Sequence, residues 1–489
     1  MLYANIDINS AVTPFLNKVA EENHFTPEAL YPFVDIYAKT PVTDLVLNMF
    51  CQYSASPSFV WTTYADKYEM TTENGLTVDY RKLYEGIYRL NAHGIDPYRV
   101  WVKRVKELGM HPWLSVRMND AHCPELEACF LRSDFQHEAW KKGWCLGEEY
   151  GYFRRCLNYG VPEVREKMLA YLQEQIEAYD TDGWELDFQR ELYCFDYKHD
   201  KNCIAVMNEF IRKVRAMVDR AEKRVGHKIR LGVRLERDLG QNLQYGFDPE
   251  TWVKENLVDL IVVTPRWATC DSDMPLEDWK AKFPNTEISA GLEVLVARQC
   301  GEAYLTPALA AGYAASYLDR KADSLYLFNQ FMDLSPLNAD AENSAGMGVH
   351  LVCGDRAACE AAPRRFIVTG QDIAPYDVSY QPLPITLCEQ GAKLAFRLGR
   401  VSADRRGSLV LGFSSGDISE CRVLANGAAL SIWQQTEKSE AEPERALTHA
   451  EPGTKLYRAA LPLPEDGRIE LELFGPDTAV LCYTEAEIL

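Results

Sequence analysis

Residues 183–191 read GWELDFQRE, and residues 230–238 read RLGVRLERD. Side chains of a β-strand alternate between two faces. In the first run Trp184, Leu186 and Phe188 therefore share a face suited to packing on helices, while Glu185 and Asp187 share the other. In the second run Gly232, Arg234 and Glu236 fall together. Two neighbouring runs with acidic and basic groups on one face describe strands whose polar side turns into a barrel. Catalytic groups of such a barrel lie at the C-terminal ends of its strands, which is where Asp187 and Glu236 stand.

Working outward, six more short apolar runs qualify as strands: 44–50 (DLVLNMF), 112–119 (PWLSVRMN), 155–159 (RCLNY), 259–265 (DLIVVTP), 287–293 (EISAGLE) and 324–329 (SLYLFN). Helical patterns lie between them. At 162–179 a proline tolerated in the first turn precedes Val164, Met168, Leu172 and Ile176 on one face. At 203–225 Ile204, Met207, Phe210, Ile211, Val214 and Val218 form the apolar side, and 308–317 is rich in Ala and Gly. Eight strands alternating with helices predict an α/β fold, a (β/α)8 TIM barrel over residues 1–335. A doubly wound open sheet is the competing architecture, but it usually carries a Gly-rich phosphate turn, and the chain has neither GxGxxG nor a Walker A motif. Residues 51–97 form a long insertion holding Tyr53, Phe59, Trp61, Tyr64 and Tyr68, readable as a sugar-stacking wall or as a small local core. Residues 336–364 read as a connector. From 365 to 489 short β-type runs punctuated by Gly, Asn, Asp and Pro predict an antiparallel β-sandwich.

Composition narrows the function. The 489 residues carry 52 Lys and Arg against 72 Asp and Glu, a formal charge of -20. A field of that sign repels phosphate backbones and anionic membranes, so neither nucleic acid nor membrane is an expected partner. The 14 cysteines show no CxxC pair, and no GxSxG or HExxH motif is present, so no metal or other cofactor is expected. The opening MLYANIDINSAVTPFLNKVAEEN lacks the basic-then-apolar layout of a secretory leader, which predicts a cytoplasmic location with mostly reduced thiols. The expected partner is a small carbohydrate; a homo-oligomer is left open.

The candidate catalytic residues are the rim carboxylates Asp187, Glu236 and Glu293, with Glu191 on the loop after Asp187. Glycoside hydrolysis needs two carboxyl groups, one to protonate the leaving oxygen and one to attack the anomeric carbon or activate water. Asp187 fits nucleophile, base or transition-state stabiliser, and Glu236 is the favoured acid, with Glu293 competing. A purely structural pair, Arg234 with Asp187 or with Glu236, is the plainer reading of the same residues. Arg117, Asn119, Arg234 and Asn329 are candidates for holding sugar hydroxyls, Asp120 and His122 follow on the loop, and Trp267 offers an indole platform. Rival functions are a metal-dependent lyase or isomerase, with Asp187, Glu236 and Glu293 as oxygen ligands, and a non-catalytic carbohydrate-binding protein.

Two blocks carry a family resemblance. VPEVREKMLAYLQEQIEAYDTDGWELDFQRE (161–191) resembles the PEVR-helix-YDxDGxxLDxxR signature of family-10-like bacterial glycoside hydrolases. HGIDPYRVWVKRVKELGMHPWLSVRMNDAH (93–122) resembles a second block of those proteins, a helix followed by SxRMNDxH. The resemblance implies a glycosidase-type barrel. It matches Asp187 and Arg190 to the family's strand-end Asp and following Arg, and Arg117, Asn119, Asp120 and His122 to the second block.

Overall fold

Eight short, largely buried runs form the parallel strands β1 Leu2–Ile6, β2 Asp44–Cys51, β3 His111–Arg117, β4 Gly183–Asp187, β5 Arg230–Glu236, β6 Leu260–Thr264, β7 Glu287–Glu293 and β8 Ser324–Phe328. The sheet runs β1-β8-β7-β6-β5-β4-β3-β2, and β1 also pairs β2, which closes the ring into a TIM barrel. The computed structural model describes residues 1–67, 70–73, 76–122, 132–266, 269–297, 303–329, 334–369, 382–416, 418–434 and 454–489.

Seven of the eight expected strands are present, and one is exchanged. Residues 155–159 are not a strand: Glu148–Arg155 is a 3-10 helix, and Leu157 makes an isolated bridge to Cys145. Cys156, Leu157 and Tyr159 are buried, which produced the strand-like signal. Their backbone is bonded to loop groups, with Asn158 N donating to Trp144 O and Leu157 N to the Asn119 side chain. The missing stave is β1, LYANI, where Ala4 and Asn5, residues that strands disfavour, interrupt the β-type run.

The barrel interior is packed around one indole. Trp113 on β3 meets the edge of Tyr3 at 5.7 Å between ring centroids and donates its Nε1 proton to Asp44 at 2.9 Å. The neighbouring strand makes room: a Cβ on Gly183 would lie 2.1 Å from the indole. Val46, Leu260, Val262, Tyr326 and Phe328 complete this cluster. The inward set therefore includes the Asp44, Trp113 and Gly183 positions, and period-two alternation places Ser115, Arg117, Glu185 and Asp187 inward above them.

Helix Pro162–Ala178 buries Val164, Met168, Leu172 and Ile176 as the pattern predicts. Helix Cys203–Val225 buries Met207, Phe210, Ile211, Val214 and Val218 but leaves Ile204 exposed, because it lies in the first turn at the edge of the stripe. That helix stops at Gly226, whose φ of 82° is the left-handed cap that glycine adopts without strain. In the 51–97 insertion Tyr53, Trp61 and Tyr64 are buried, with Trp61 edge-on to Phe50 at 5.0 Å and Tyr64 against Tyr84 at 4.3 Å. These rings pack a local core; Phe59 alone is fully exposed, and Tyr68 lies outside the described residues.

Two compact units divide the chain. One comprises Met1–Thr264, Trp279–Ser289 and Tyr326–Ser344; the other comprises Pro265–Asp278, Ala290–Leu325 and Ala345–Leu489. Within the second lie the two antiparallel sheets of a C-terminal β-sandwich. One sheet runs through Arg364–Val368, Val480–Ile488, Gly407–Ser415 and Lys455–Leu461, the other through Ala392–Arg397, Arg468–Phe474 and Arg422–Ala425. Residues 336–364 carry two short helices, Ala345–Cys353 and Arg356–Ala361. Among the described residues no helix is long and apolar enough to cross a membrane.

Because the Gly183 Cα faces the indole, Gly183→Ala is expected to lower stability by about 1–3 kcal/mol, the usual cost of overpacking a filled core. Urea unfolding checks this, and Trp113→Leu in the same chain should recover part of the loss.

Candidate active site

The parallel register sets Asp187 on β4 opposite Arg234 on β5. Arg234 closes a fork on the carboxylate, with Nε 2.9 Å from Oδ1 and Nη2 3.1 Å from Oδ2. Oδ1 also accepts the backbone N–H groups of Gln189 and Arg190 at 3.0 and 2.9 Å. Both side chains are removed from solvent, at 2% and 0% exposure, so each charge depends on the other for its compensation. The guanidinium lies over Phe328, its Cζ 3.5 Å from the ring centroid. Of the two structural pairings open to Arg234, the fold makes the one with Asp187.

Glu185 sits one pleat below Asp187 on the same face. Its Oε1 accepts from Ser115 Oγ at 2.7 Å and Tyr326 OH at 2.8 Å, whereas Oε2 is buried with no protein partner. Burial, and then the negative charge of Asp187, push this carboxyl up to about 7.

A second cluster gathers the end of β2, the loop after β3 and the residue after β1. Arg117 donates through Nη2 to Asp7 Oδ1 at 2.6 Å and Asn329 Oδ1 at 3.3 Å, and through Nη1 to Cys51 Sγ at 3.2 Å. Cys51 donates its S–H to Asp120 Oδ2 at 2.9 Å. His122 Nδ1 bonds Asp120 Oδ1, and Arg190 Nη2 approaches His122 Nε2 at 3.1 Å. Arg190 also pairs with Glu191 at 2.9 Å, and Glu191 accepts from Ala121 N at 3.3 Å and Tyr152 OH at 3.4 Å. Burial raises the Asp120 carboxyl, but His122, Arg190 and Arg117 outweigh it and hold it well below the usual carboxylate range. Burial and the charge of Asp120 push the Cys51 thiol well up.

The remaining candidates divide by what they touch. Glu236, at the end of β5, is nearly buried and accepts from Asp238 N at 2.6 Å. Asn119 is engaged by backbone: its amide donates to Leu157 O and Tyr193 O at 3.0 Å and accepts from Leu157 N at 2.8 Å, so it clasps the loop 155–159 to the strand end. Asn329 follows β8 in a left-handed conformation, φ 54°, that turns its side chain to Arg117. Glu293 belongs to the second unit, where Val294 N donates to it at 3.0 Å and Cys270, Thr269, Tyr313 and Leu305 line a small cavity beside it. Trp267 lies outside the described residues. Thus Asp187, Arg190, Glu191, Arg117, Asp120, His122, Arg234 and Asn329 fall into linked networks of one unit.

Asp7, Cys51 and Tyr326 join these networks and were not singled out from the sequence. Asp7 was legible in principle: Tyr3, Asn5 and Asp7 alternate along β1 as Ser115 and Arg117 do along β3.

No family model matches the chain, and no curated protein matches it in sequence. Solved structures do resemble it. The PgaB (BpsB) glycoside hydrolase domain from Bordetella bronchiseptica is 10% identical over 70% of this chain and 96% of its own, with a TM-score of 0.42. Chitinase ChiW from Paenibacillus sp. str. FPU-7 is 10% identical over 91% of this chain and 50% of its own, TM-score 0.41. A cycloisomaltooligosaccharide glucanotransferase from Paenibacillus sp. is 9% identical over 99% of this chain, TM-score 0.35; the chain spans 57% of its length.

Two outcomes follow from the buried charges. Arg234→Met strands Asp187 and should cost about 3–5 kcal/mol of stability in urea unfolding. Glu185 holds its proton more tightly folded, at about 7, than at the ordinary 4.5. Its contribution is complete below pH 4.5 and is lost as pH rises through 7. The wild type should therefore lose up to about 3 kcal/mol relative to Glu185→Gln between acid and mildly alkaline pH.

Proposed function

We propose that the chain is a glycoside hydrolase acting on an oligosaccharide or small glycoside inside the cell. One observation carries the reading: Asp187 and Glu236 end neighbouring strands on the same inward face. With Asp187 opposite Arg234, strand spacing and rise put the Cα atoms of Asp187 and Glu236 about 8 Å apart. This is the end of the barrel at which such enzymes work, and paired carboxyl groups are what hydrolysis of a glycosidic bond requires. The two sequence blocks that resemble family-10-like bacterial glycoside hydrolases contribute Asp187, Arg190, Arg117, Asp120 and His122 to these networks.

In this reading Glu236 is the general acid. Asp187 stabilises positive charge developing at the anomeric centre, or attacks it, from a position fixed by Arg234 and two backbone N–H groups. Glu191 is the competing carboxylate of the same unit. Arg117, His122 and Asn329 hold hydroxyls, Arg190 orients His122, and Asn119 keeps the neighbouring loop in place.

The test is a panel of aryl glycosides and short oligosaccharides assayed with the wild type and Glu236→Gln. The variant should keep its circular dichroism and lose at least about 10³-fold in turnover. Wild-type turnover in Glu236→Gln would remove Glu236 from the acid role, and no hydrolysis of any glycoside by the wild type would overturn the reading.

A further inference from the structure

We propose that Cys51, Asp120 and His122 form a site for one divalent transition-metal ion, best matched by zinc. The inference does not rest on the glycosidase reading.

One ligand atom from each of the three residues lies within 4.8 Å of the other two. The thiol is 2.9 Å from one oxygen of Asp120, and the imidazole Nδ1 is bonded to the other. Sulfur, nitrogen and carboxylate oxygen are the donors zinc takes, and three protein ligands leave its fourth tetrahedral position open. The mixture disfavours magnesium and calcium, which bind through oxygen. The ligands come from strand ends: Cys51 ends β2, Asp120 and His122 follow β3, and the two strands pair from Asp44 with His111 to Asn48 with Ser115 before a bulge precedes the pair of Phe50 with Val116.

The hydrogen bonding places protons where a cation would sit. Arg190 Nη2 has only protons to give, so His122 Nε2 accepts and Nδ1 carries the ring proton toward Asp120. The S–H of Cys51 points to the same carboxylate. A divalent ion replaces both contacts in a balanced exchange. The thiol proton leaves to solvent, the imidazole proton moves from Nδ1 to Nε2, Arg190 turns aside, and the thiolate and carboxylate neutralise the ion.

A further buried polar group neighbours Cys51 in the sequence. Gln52, next to Cys51 in the chain, is 1% exposed, and neither polar atom of its side chain has a protein partner. A buried amide left in that state calls for a ligand or bound water.

The full-length protein, loaded with zinc or cobalt and dialysed, provides the test. Metal analysis should find one ion per chain bound with high affinity, and the cobalt form should show a thiolate-to-metal charge-transfer band. Chelator competition should show Cys51→Ser and His122→Ala weakened at least about 100-fold, the upper end of what losing an outer-shell partner costs. Zinc should also raise the melting temperature of the wild type, a readout that needs no variant to fold. The exposed cluster Glu149, Asp196 and His199 provides the control: His199→Ala should bind as the wild type does. Absence of stoichiometric metal, a cobalt spectrum without the thiolate band, or binding lost in His199→Ala and kept in Cys51→Ser would overturn the proposal.

Discussion

A guanidinium and a carboxylate on adjacent strands, both shut away from water, govern how this barrel mouth is built. Arg234 and Asp187 cannot be separated without leaving a charge in a poorly polarisable interior. The fork holds β4 and β5 at the level where the strands end. Burial first, and then the negative charge of Asp187, favour the protonated form of Glu185 beneath it. The acid can then donate in a space where a second carboxylate would be repelled.

The same logic recurs around the rim. Arg117 joins Asp7 after β1, Cys51 on β2 and Asn329 after β8, while Arg190 joins Glu191 and His122. Arginine suits this task because its planar fork offers five donors in fixed directions. Below, the barrel is filled by Trp113 and its neighbours; above, it is held by directed polar bonds. Polar bonds fix orientation more closely than apolar contact does.

The barrel was legible because period-two alternation survives in its strands. Glu185 with Asp187, and Arg234 with Glu236, could be assigned a common face before any contact was known. Two segments defeated the same reasoning: Ala4 and Asn5 interrupt the β-type run of LYANI, and RCLNY is buried for reasons unconnected with a sheet. Pairing was beyond reach as well. Arg234 had two acidic candidates on chemically equal terms, and the register of β4 on β5 selects Asp187. The convergence of Cys51 with Asp120, 69 positions apart, is set by tertiary structure alone. The aromatic residues of the insertion show the opposite limit, since composition does not distinguish a ring that waits for a ligand from one that packs against its neighbours.

The strand order has a consequence for how the chain becomes a ring. Strands β2 to β6 each lie beside the next in sequence, so they can assemble progressively. The seam is different, because β1 is flanked by β2 and by β8, which starts at Ser324. A stave made at the outset must wait for one made some three hundred residues later. Joining partners so distant in sequence is slow, and until it happens β1 and β8 each keep a raw edge open to other chains. The most vulnerable moment in the life of this protein is thus the interval before its cylinder shuts.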